Sequence, residues 1–512
     1  MNYQVGMISL GCSKNQVDAE RMLSLLSENG FTICSDPARC DAIIVNTCGF
    51  IEDAKRESIE SIFEAAQQKK GRLKVLAVTG CLAERYQNEF ADEVPEADVI
   101  LGMGSIGEIA ASLRRALEKG ERVISFREKS DLPLEGERIL ANEPYFAYLK
   151  VAEGCDNRCA FCAIPDIRGH FRSMPMEKVL EEARRLADRG VVELNVVAQD
   201  TTRYGQDLYG KLMLPELLRE LCKIEKIRWV RLLYCYPDRT TDELIEAIAS
   251  EPKIVKYIDL PLQHINDRLL RRMNRRGDSS LIRPLLKKLR EKIPGVCIRT
   301  TLIAGLPGET EEEFEELCDF VREEAFERLG CFAYSTEEGT PAGEMPDQID
   351  PELRRHRADQ IMELQMGIAA GIARSLEGQT LEVLCEGYDE EAQCYAGRSY
   401  MDAPDIDTKV YFTGRSGLEP GQFVTVEITG AATTSSERRS YSDEPAESTD
   451  RPAGDPRPLL RLFSAGWKFK PFPHSGTADF CGSQSDRFAR RKNRTGKRAC
   501  HHLRKADGPA GR

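Results

Sequence analysis

The chain has 512 residues, 17 cysteines and a formal charge of −12 at pH 7. This length allows about three domains. The first residues lack the basic and apolar regions of an export signal, and no apolar run is long enough to span a bilayer. We therefore expect a cytoplasmic protein without a membrane partner, whose cysteines bind metal or stay reduced rather than form disulfides.

The charge is unevenly distributed along the chain. Residues 431–512 contain 17 Lys and Arg against 9 Asp and Glu, so the preceding body is more acidic than the chain as a whole. An acidic body favours a basic protein as partner and disfavours nucleic acid. Nucleic acid is therefore not expected as the substrate.

The first predicted domain, residues 1–125, repeats one pattern three times. An apolar strand-like run ends at a cysteine, Cys12, Cys48 or Cys81, and an amphipathic helix-like stretch follows. This alternation predicts a parallel α/β sheet, whose strands have their carboxyl ends along one edge. We expect the three cysteines to meet there and hold a metal cluster. Three unrelated buried cysteines are the alternative.

Residues 126–142 are charged and weakly patterned, which is typical of a linker. Strands and helices then alternate again through residues 143–374, in about six β/α units. This pattern predicts a partial parallel barrel with functional residues at the carboxyl ends of its strands.

The most informative loop of the chain follows the first strand of that barrel. Cys155, Cys159 and Cys162 have the spacing CxxxCxxC. A 4Fe-4S cluster is normally held by four cysteines, so three would leave one iron open for chemistry. Zinc or a chance cysteine run is the alternative, but zinc sites usually have a second ligand pair, and none lies nearby in the sequence.

Two further sets of residues fall at predicted strand ends and are candidates for contact with a cofactor. They are Gln199, Asp200, Gln263 and His264, and the turn residues Gly305, Pro307, Gly308 and Glu309. A lone histidine is more often structural than catalytic, and without a family resemblance an ordinary strand-to-helix turn explains the second set better than contact with a cofactor.

The C-terminal part of the chain has two different compositions. Residues 375–432 contain short β-rich runs with Gly-rich turns, which predict a small β-barrel. Residues 433–512 are rich in Ser, Arg, Gly and Pro and are expected to be disordered. This composition fits both a genuine extension and the product of a shifted reading frame. The tail begins where a last strand of the barrel is expected, so closure of the barrel is left open.

These motifs resemble the radical S-adenosylmethionine (SAM) methylthiotransferase family over about residues 3–430. The CxxxCxxC loop is the superfamily signature, and residues 11–15, 46–51 and 80–81 resemble the first cysteine set of the family. The resemblance identifies the central domain as a radical-SAM barrel and the small β-barrel as TRAM-like.

Two branches of that family are candidates. One modifies a tRNA adenosine (MiaB-type), and the other an aspartate of small-subunit ribosomal protein twelve (RimO-type). Residues 163–169, 199–205 and 334–340 resemble the RimO pattern. The acidic body agrees with a basic ribosomal protein as substrate.

The resemblance implies two 4Fe-4S clusters, each with three protein ligands. The catalytic cluster would be held by Cys155, Cys159 and Cys162, and an auxiliary cluster by Cys12, Cys48 and Cys81. The resemblance further implies that one SAM generates a radical and another donates the methyl group. It also implies that the strand-end and turn residues named above bind SAM.

Partners and rival functions follow from the same resemblance. Ribosomal protein twelve is the expected substrate, and a flavodoxin or ferredoxin the expected electron donor. Methylthiolation of tRNA adenosine is the close alternative. A non-catalytic iron-sulfur carrier is the alternative from another class, although it leaves the barrel-length central region unexplained.

Overall fold

The computed structural model describes residues 3–414, 417–432 and 459–463. The N-terminal domain is a six-stranded parallel sheet in the order β2-β1-β3-β4-β5-β6. Its strands are β1 (Gln4–Ser9), β2 (Thr32–Ile33), β3 (Ala42–Thr47), β4 (Val75–Gly80), β5 (Val99–Leu101) and β6 (Val123–Ser125), and its helices are α1 (Ser13–Glu28), α2 (Glu52–Gln67), α3 (Cys81–Glu93) and α4 (Ile109–Lys119).

The central strands of this sheet are apolar and buried along their whole length. Every residue of β3 and β4 is buried, as expected of parallel strands that helices cover on both faces. Strand register places Ser9 beside Asn46, and Asn46 beside Thr79. The three strands that precede Cys12, Cys48 and Cys81 therefore end at one edge of the sheet.

A second parallel sheet forms the central domain and confirms the predicted partial barrel. Its order is β14-β13-β12-β11-β10-β7, and a short antiparallel pair, β8 and β9, flanks the CxxxCxxC loop. The strands are β7 (Phe146–Lys150), β8 (Ala152–Glu153), β9 (Arg172–Ser173), β10 (Glu193–Val197), β11 (Trp229–Leu232), β12 (Ile254–Asp259), β13 (Cys297–Ala304) and β14 (Arg328–Ala333).

Helices cover the outer face of this sheet and bury a large apolar core against it. They are α5 (Ile164–Arg168), α6 (Met176–Asp188), α7 (Gln206–Tyr209), α8 (Leu214–Cys222), α9 (Asp242–Ser250), α10 (Asp267–Arg272), α11 (Ser279–Lys292), α12 (Glu311–Glu324) and α13 (Pro351–Ser375). The other face meets the N-terminal and C-terminal domains. There Val17 of α1 and Met401 join the same apolar cluster as Tyr148 and Tyr257.

The segment predicted as a linker, residues 126–142, is anchored to both neighbouring domains. Arg138 is buried, donating hydrogen bonds to Glu20 of α1 and Glu182 of α6. Its Nη1 to Glu182 Oε1 distance is 2.6 Å. The segment therefore fixes the two α/β domains to one another.

The C-terminal domain is a five-stranded closed barrel in the order β15-β16-β17-β19-β18. Its strands are β15 (Thr380–Asp389), β16 (Cys394–Ser399), β17 (Val410–Phe412), β18 (Phe423–Ala432) and β19 (Leu459–Phe463). Strand β19 pairs with β17 antiparallel and with β18 parallel, and so closes the barrel from within the predicted tail. The rest of the predicted disordered tail, residues 433–458 and 464–512, lies outside the described residues.

Among the helices of the described residues, none is both long and apolar enough to cross a bilayer.

Candidate active site

The first three predicted ligands lie at the carboxyl edge of the N-terminal sheet. Cys12 precedes the first residue of α1, Cys48 follows β3 directly, and Cys81 opens α3. A Cβ on Gly11 would lie 3.0 Å from Cys48 Sγ, and the φ of Gly11 is +89°, so only glycine fits beside this thiol.

The thiols of this set act on one another electrostatically. Burial, together with the neighbouring Cys81 and Cys12, raises the pKa of Cys48 to about 12. Burial also raises the pKa of Cys81. For Cys12 burial would raise the pKa, but the charges of Lys14 and Arg168 lower it below its ordinary value. The structure thus brings the three cysteines together, and their role as cluster ligands stays a prediction.

The second set lies in the loop after β8. Cys155 and Cys159 are buried, and donors face the sulfurs. The Ile164 N–H donates to Cys162 Sγ at 3.5 Å, and Arg275 Nη1 donates to Cys159 Sγ at 3.7 Å. The Tyr236 hydroxyl lies 3.4 Å from Cys159 Sγ.

These thiols are poorly suited to exist as free thiolates. Burial raises the pKa of Cys155 to about 11, and burial together with the neighbouring Cys159 raises that of Cys162. A bound metal would reverse this preference, because a coordinated thiol is deprotonated outright. Buried thiols with donors directed at their sulfurs therefore fit a cluster held by Cys155, Cys159 and Cys162.

Across the described residues, no three His, Cys, Asp or Glu side chains converge tightly enough to hold one metal ion.

A buried ionic network joins the two cysteine sets. Arg168 Nη1 donates to Asp18 at 2.8 Å and to Glu153 at 3.0 Å, while its Nη2 lies 3.5 Å from Cys81 Sγ. Lys150 pairs with the same two carboxylates. Burial would raise the pKa of Glu153, but Arg168 and Lys150 hold it far below its ordinary value.

The predicted residues after β10 lie next to the CxxxCxxC loop. Gln199 Nε2 donates to Glu153 Oε1 at 2.8 Å, and its own Oε1 is buried without a partner in the described chain. Asp200 is fully buried, where it accepts hydrogen bonds from Asn157 and Arg239. Asp200 therefore orients the cysteine loop through Asn157.

The second group of predicted residues forms one packed turn. Glu309 Oε2 accepts from the Gly305 N–H at 2.7 Å, and Glu309 Oε1 pairs with Arg357 at 3.0 Å. His264 Nε2 lies 3.9 Å from Glu309 Oε2, and burial lowers the pKa of His264 to about 3, so its ring is neutral.

The turn glycines are required by contacts within the protein. A Cβ at Gly305 would lie 2.5 Å from the side chain of Arg354, and one at Gly308 would lie 2.1 Å from that of Asp347. Pro307 lies between them. Gln263, at φ +72°, keeps a buried Oε1 without a partner in the described part of the chain. Contact of these residues with SAM stays a prediction.

Three known families match successive parts of the chain. Uncharacterized protein family UPF0004 matches residues 4–102, the radical SAM superfamily residues 149–321, and the TRAM domain residues 378–435. The second match includes the CxxxCxxC loop, and the third includes the C-terminal barrel strands up to β18.

Curated relatives match across these three regions. The ribosomal protein uS12 methylthiotransferase RimO of Thermoanaerobacter sp. (strain X514) is 50% identical over 428 residues, which cover 83% of this chain and 97% of that protein. Proteins of the same name from Desulforamulus reducens and Caldanaerobacter subterraneus subsp. tengcongensis are 51% and 52% identical, with the same coverage of each chain. The chain belongs to the RimO family.

Membership of the RimO family makes the chain a radical-SAM methylthiotransferase, an enzyme that transfers a sulfur-containing group and uses SAM and a 4Fe-4S cluster. Among solved structures, the radical SAM methyltransferase TsrM from Kitasatospora setae is similar with a TM-score of 0.49 and 13% identity, over 72% of this chain and 89% of that one. This similarity is too weak to indicate a shared function.

Several site residues of this RimO-family chain were not predicted from the sequence. Tyr236 and Arg275 reach Cys159 from 77 and 116 residues away, which no local pattern indicates. Arg168 lies in the RimO-like stretch 163–169, and Glu153 lies two residues before Cys155, so their nearness to these motifs is a sequence signal that could have indicated them.

Proposed function

We propose that this chain methylthiolates the β-carbon of one aspartate in small-subunit ribosomal protein twelve, uS12. The observation that carries the proposal is identity of 50–52% to proteins named for this activity, over 97% of their length. The three relatives compared above are all named for this activity and not for the rival modification of tRNA adenosine.

We assign the cluster that binds SAM to Cys155, Cys159 and Cys162, and a second cluster to Cys12, Cys48 and Cys81. When bound, the clusters and SAM would supply an electron to cleave one SAM, the sulfur to be inserted, and the methyl group of a second SAM. A radical is needed because the aspartate β-carbon is not activated for acid–base chemistry.

The chain's own residues position and shield this chemistry. Arg275 and Tyr236 hold Cys159, and Asn157 holds Asp200 against the cysteine loop. Burial of Cys155 and Cys159 keeps water away from the reacting region.

The polar atoms available to bind SAM belong to three of the predicted residues. Gln199 and Gln263 each retain a buried amide oxygen, and His264 a buried Nε2, without a hydrogen-bond partner among the described residues. A buried acceptor without a donor is unfavourable, so a ligand that donates there would be stabilised. Asp200 and Glu309 are already bonded within the protein, Asp200 to Asn157 and Glu309 to the turn at Gly305, and would support SAM indirectly.

The test is an anaerobic turnover of reconstituted protein with SAM, purified uS12 and an electron source. Dithionite, and separately a flavodoxin or ferredoxin, serves as reductant. Peptide mass spectrometry should find a methylthio group on one aspartate, together with release of 5′-deoxyadenosine. Release without modification of uS12, but with modification of a tRNA, would contradict the proposal. If protein with full iron content forms neither product, a non-catalytic carrier is favoured instead.

A further inference from the structure

Lys14 is a buried lysine without an acidic partner. Three lysines of the described chain are less than a tenth exposed: Lys14, Lys55 and Lys150. Lys55 pairs with Glu52 and Glu337, and Lys150 with Asp18 and Glu153. Lys14 forms no ion pair with any carboxylate among the described residues, although buried lysines are almost always paired.

The nearest carboxylate along the helix is already used. Asp18 lies one turn after Lys14 on α1, where an i, i+4 pair would be expected. Its two oxygens instead bind Lys150 and Arg168. The ammonium of Lys14 rests 3.3 Å from the ring centroid of Tyr234, and its charge also acts on the Cys12 thiol two residues away, so no carboxylate of the described residues neutralises it.

This ammonium lies between the first cysteine set and the radical-SAM sheet. Lys14 follows Cys12 by two residues, and Tyr234 lies just beyond the carboxyl end of β11 in the radical-SAM sheet. One turn further along α1, Val17 packs in the cluster that contains Tyr148 and Leu233. The first turn of α1 therefore meets the central domain at the place where a substrate would have to approach both cysteine sets.

We infer that Lys14 binds the carboxylate of the substrate aspartate, an inference that rests on the proposed function. The carboxyl carbon of aspartate is bonded directly to the β-carbon that reacts. An ion pair at the carboxylate would thus hold the reacting carbon two bonds from the bound oxygen, which helps to orient the substrate. It would also select aspartate over asparagine, because a neutral amide leaves the buried ammonium unpaired.

The test measures binding of uS12 to the anaerobically reconstituted holoenzyme by isothermal titration calorimetry. Native uS12 is compared with a form whose target aspartate is replaced by asparagine. The unsubstituted enzyme should prefer native uS12 by about tenfold or more. Lys14→Met should lose this preference because it binds native uS12 more weakly and the asparagine form equally well. Lys14→Arg should keep most of the preference. Lys74→Met, at an exposed lysine of the same domain, is the matched control.

Iron content and SAM cleavage without substrate are measured for each variant. SAM cleavage, which depends on the other cysteine set, should be unchanged in Lys14→Met. Binding is compared only between preparations of equal iron content, because Lys14 lies two residues from Cys12. Lys14→Gln replaces Lys14→Met if that variant does not fold. The inference would be overturned if the Lys14 variant still preferred native uS12, or if it bound both forms of uS12 equally more weakly. Loss of iron in both Lys14→Met and Lys14→Gln would also overturn it. An unsubstituted enzyme that binds neither form would overturn the proposed function instead. If the unsubstituted enzyme modifies native uS12 but does not bind it more tightly than the asparagine form, only the role of Lys14 is overturned.

Discussion

At the scale of single residues, the buried charges between the cysteine sets are balanced. Two cations, Arg168 and Lys150, share two carboxylates, Asp18 and Glu153, and all four side chains are about 1% exposed or less. Taking such charges out of water costs several kcal/mol per ion, and only the complete network of four charges offsets this cost. Removing one partner typically lowers the free energy of unfolding by about 3–5 kcal/mol. The network is therefore sensitive to loss of any member.

Replacing Arg168 with methionine should destabilise the protein strongly. Arg168→Met leaves Asp18 and Glu153 with Lys150 as their one remaining partner in the network, so we expect the free energy of unfolding to fall by about 3–5 kcal/mol. Urea denaturation of the apoprotein measures this change. Arg56→Met, at an exposed arginine of α2, should change it by less than about 0.5 kcal/mol. A loss below about 1 kcal/mol for Arg168→Met would contradict the account.

His264 should make the protein sensitive to acid. Burial lowers its pKa to about 3, whereas an unfolded histidine titrates near its ordinary value of 6.5. Between these pH values only the unfolded state takes up the proton, so stability is full above about pH 6.5 and falls by about 1.4 kcal/mol per pH unit below it.

His264→Gln should remove that part of the pH dependence. Urea midpoints measured from about pH 6.5 to 4.5 should fall less steeply for His264→Gln than for the unsubstituted protein. His356→Gln, at an exposed histidine of α13, should follow the unsubstituted protein. Parallel pH profiles for His264→Gln and the unsubstituted protein would contradict a buried neutral ring.

At the scale of elements, β19 determines whether the C-terminal barrel is closed. It forms backbone pairs with β17 on one side and β18 on the other, with Leu460 beside both Phe412 and Ile428. Proline cannot donate a hydrogen bond to a neighbouring strand, and it is therefore found almost only at sheet edges.

Leu460→Pro should open the barrel without unfolding the rest of the chain. Amide hydrogen exchange in β17 and β18 should become faster, while β3 and β4 keep their protection. Leu460→Val, which keeps the backbone donor and favours strands, is the control. Unchanged exchange in β17 for Leu460→Pro would show that β19 does not pair there.

The elements that were predicted share a local signal, and those that were not depend on distant contacts. Cys12, Cys48 and Cys81 each follow an apolar run, so alternation alone placed them at one sheet edge. Strand β19 gave no such signal, because 26 residues separate it from β18 and its pairing partners are distant in sequence. The buried state of Lys14 depends likewise on Tyr234, 220 positions away in another domain.

At the scale of the whole molecule, the two cysteine sets belong to different domains that are tied together. Arg138 in residues 126–142 binds Glu20 and Glu182, and Arg168 reaches from the central domain to Cys81. These buried contacts hold the sets in one arrangement. We propose a division of labour between them, in which one set would cleave SAM and the other would supply sulfur.

The most direct test of this division compares Cys12→Ala with Cys159→Ala. Each reconstituted variant is incubated anaerobically with dithionite, SAM and uS12, and both 5′-deoxyadenosine and methylthiolated uS12 are quantified. Cys12→Ala should abolish methylthiolation but keep SAM cleavage, whereas Cys159→Ala should abolish both. Equal loss of SAM cleavage in the two variants, or methylthiolation by Cys12→Ala, would contradict the account.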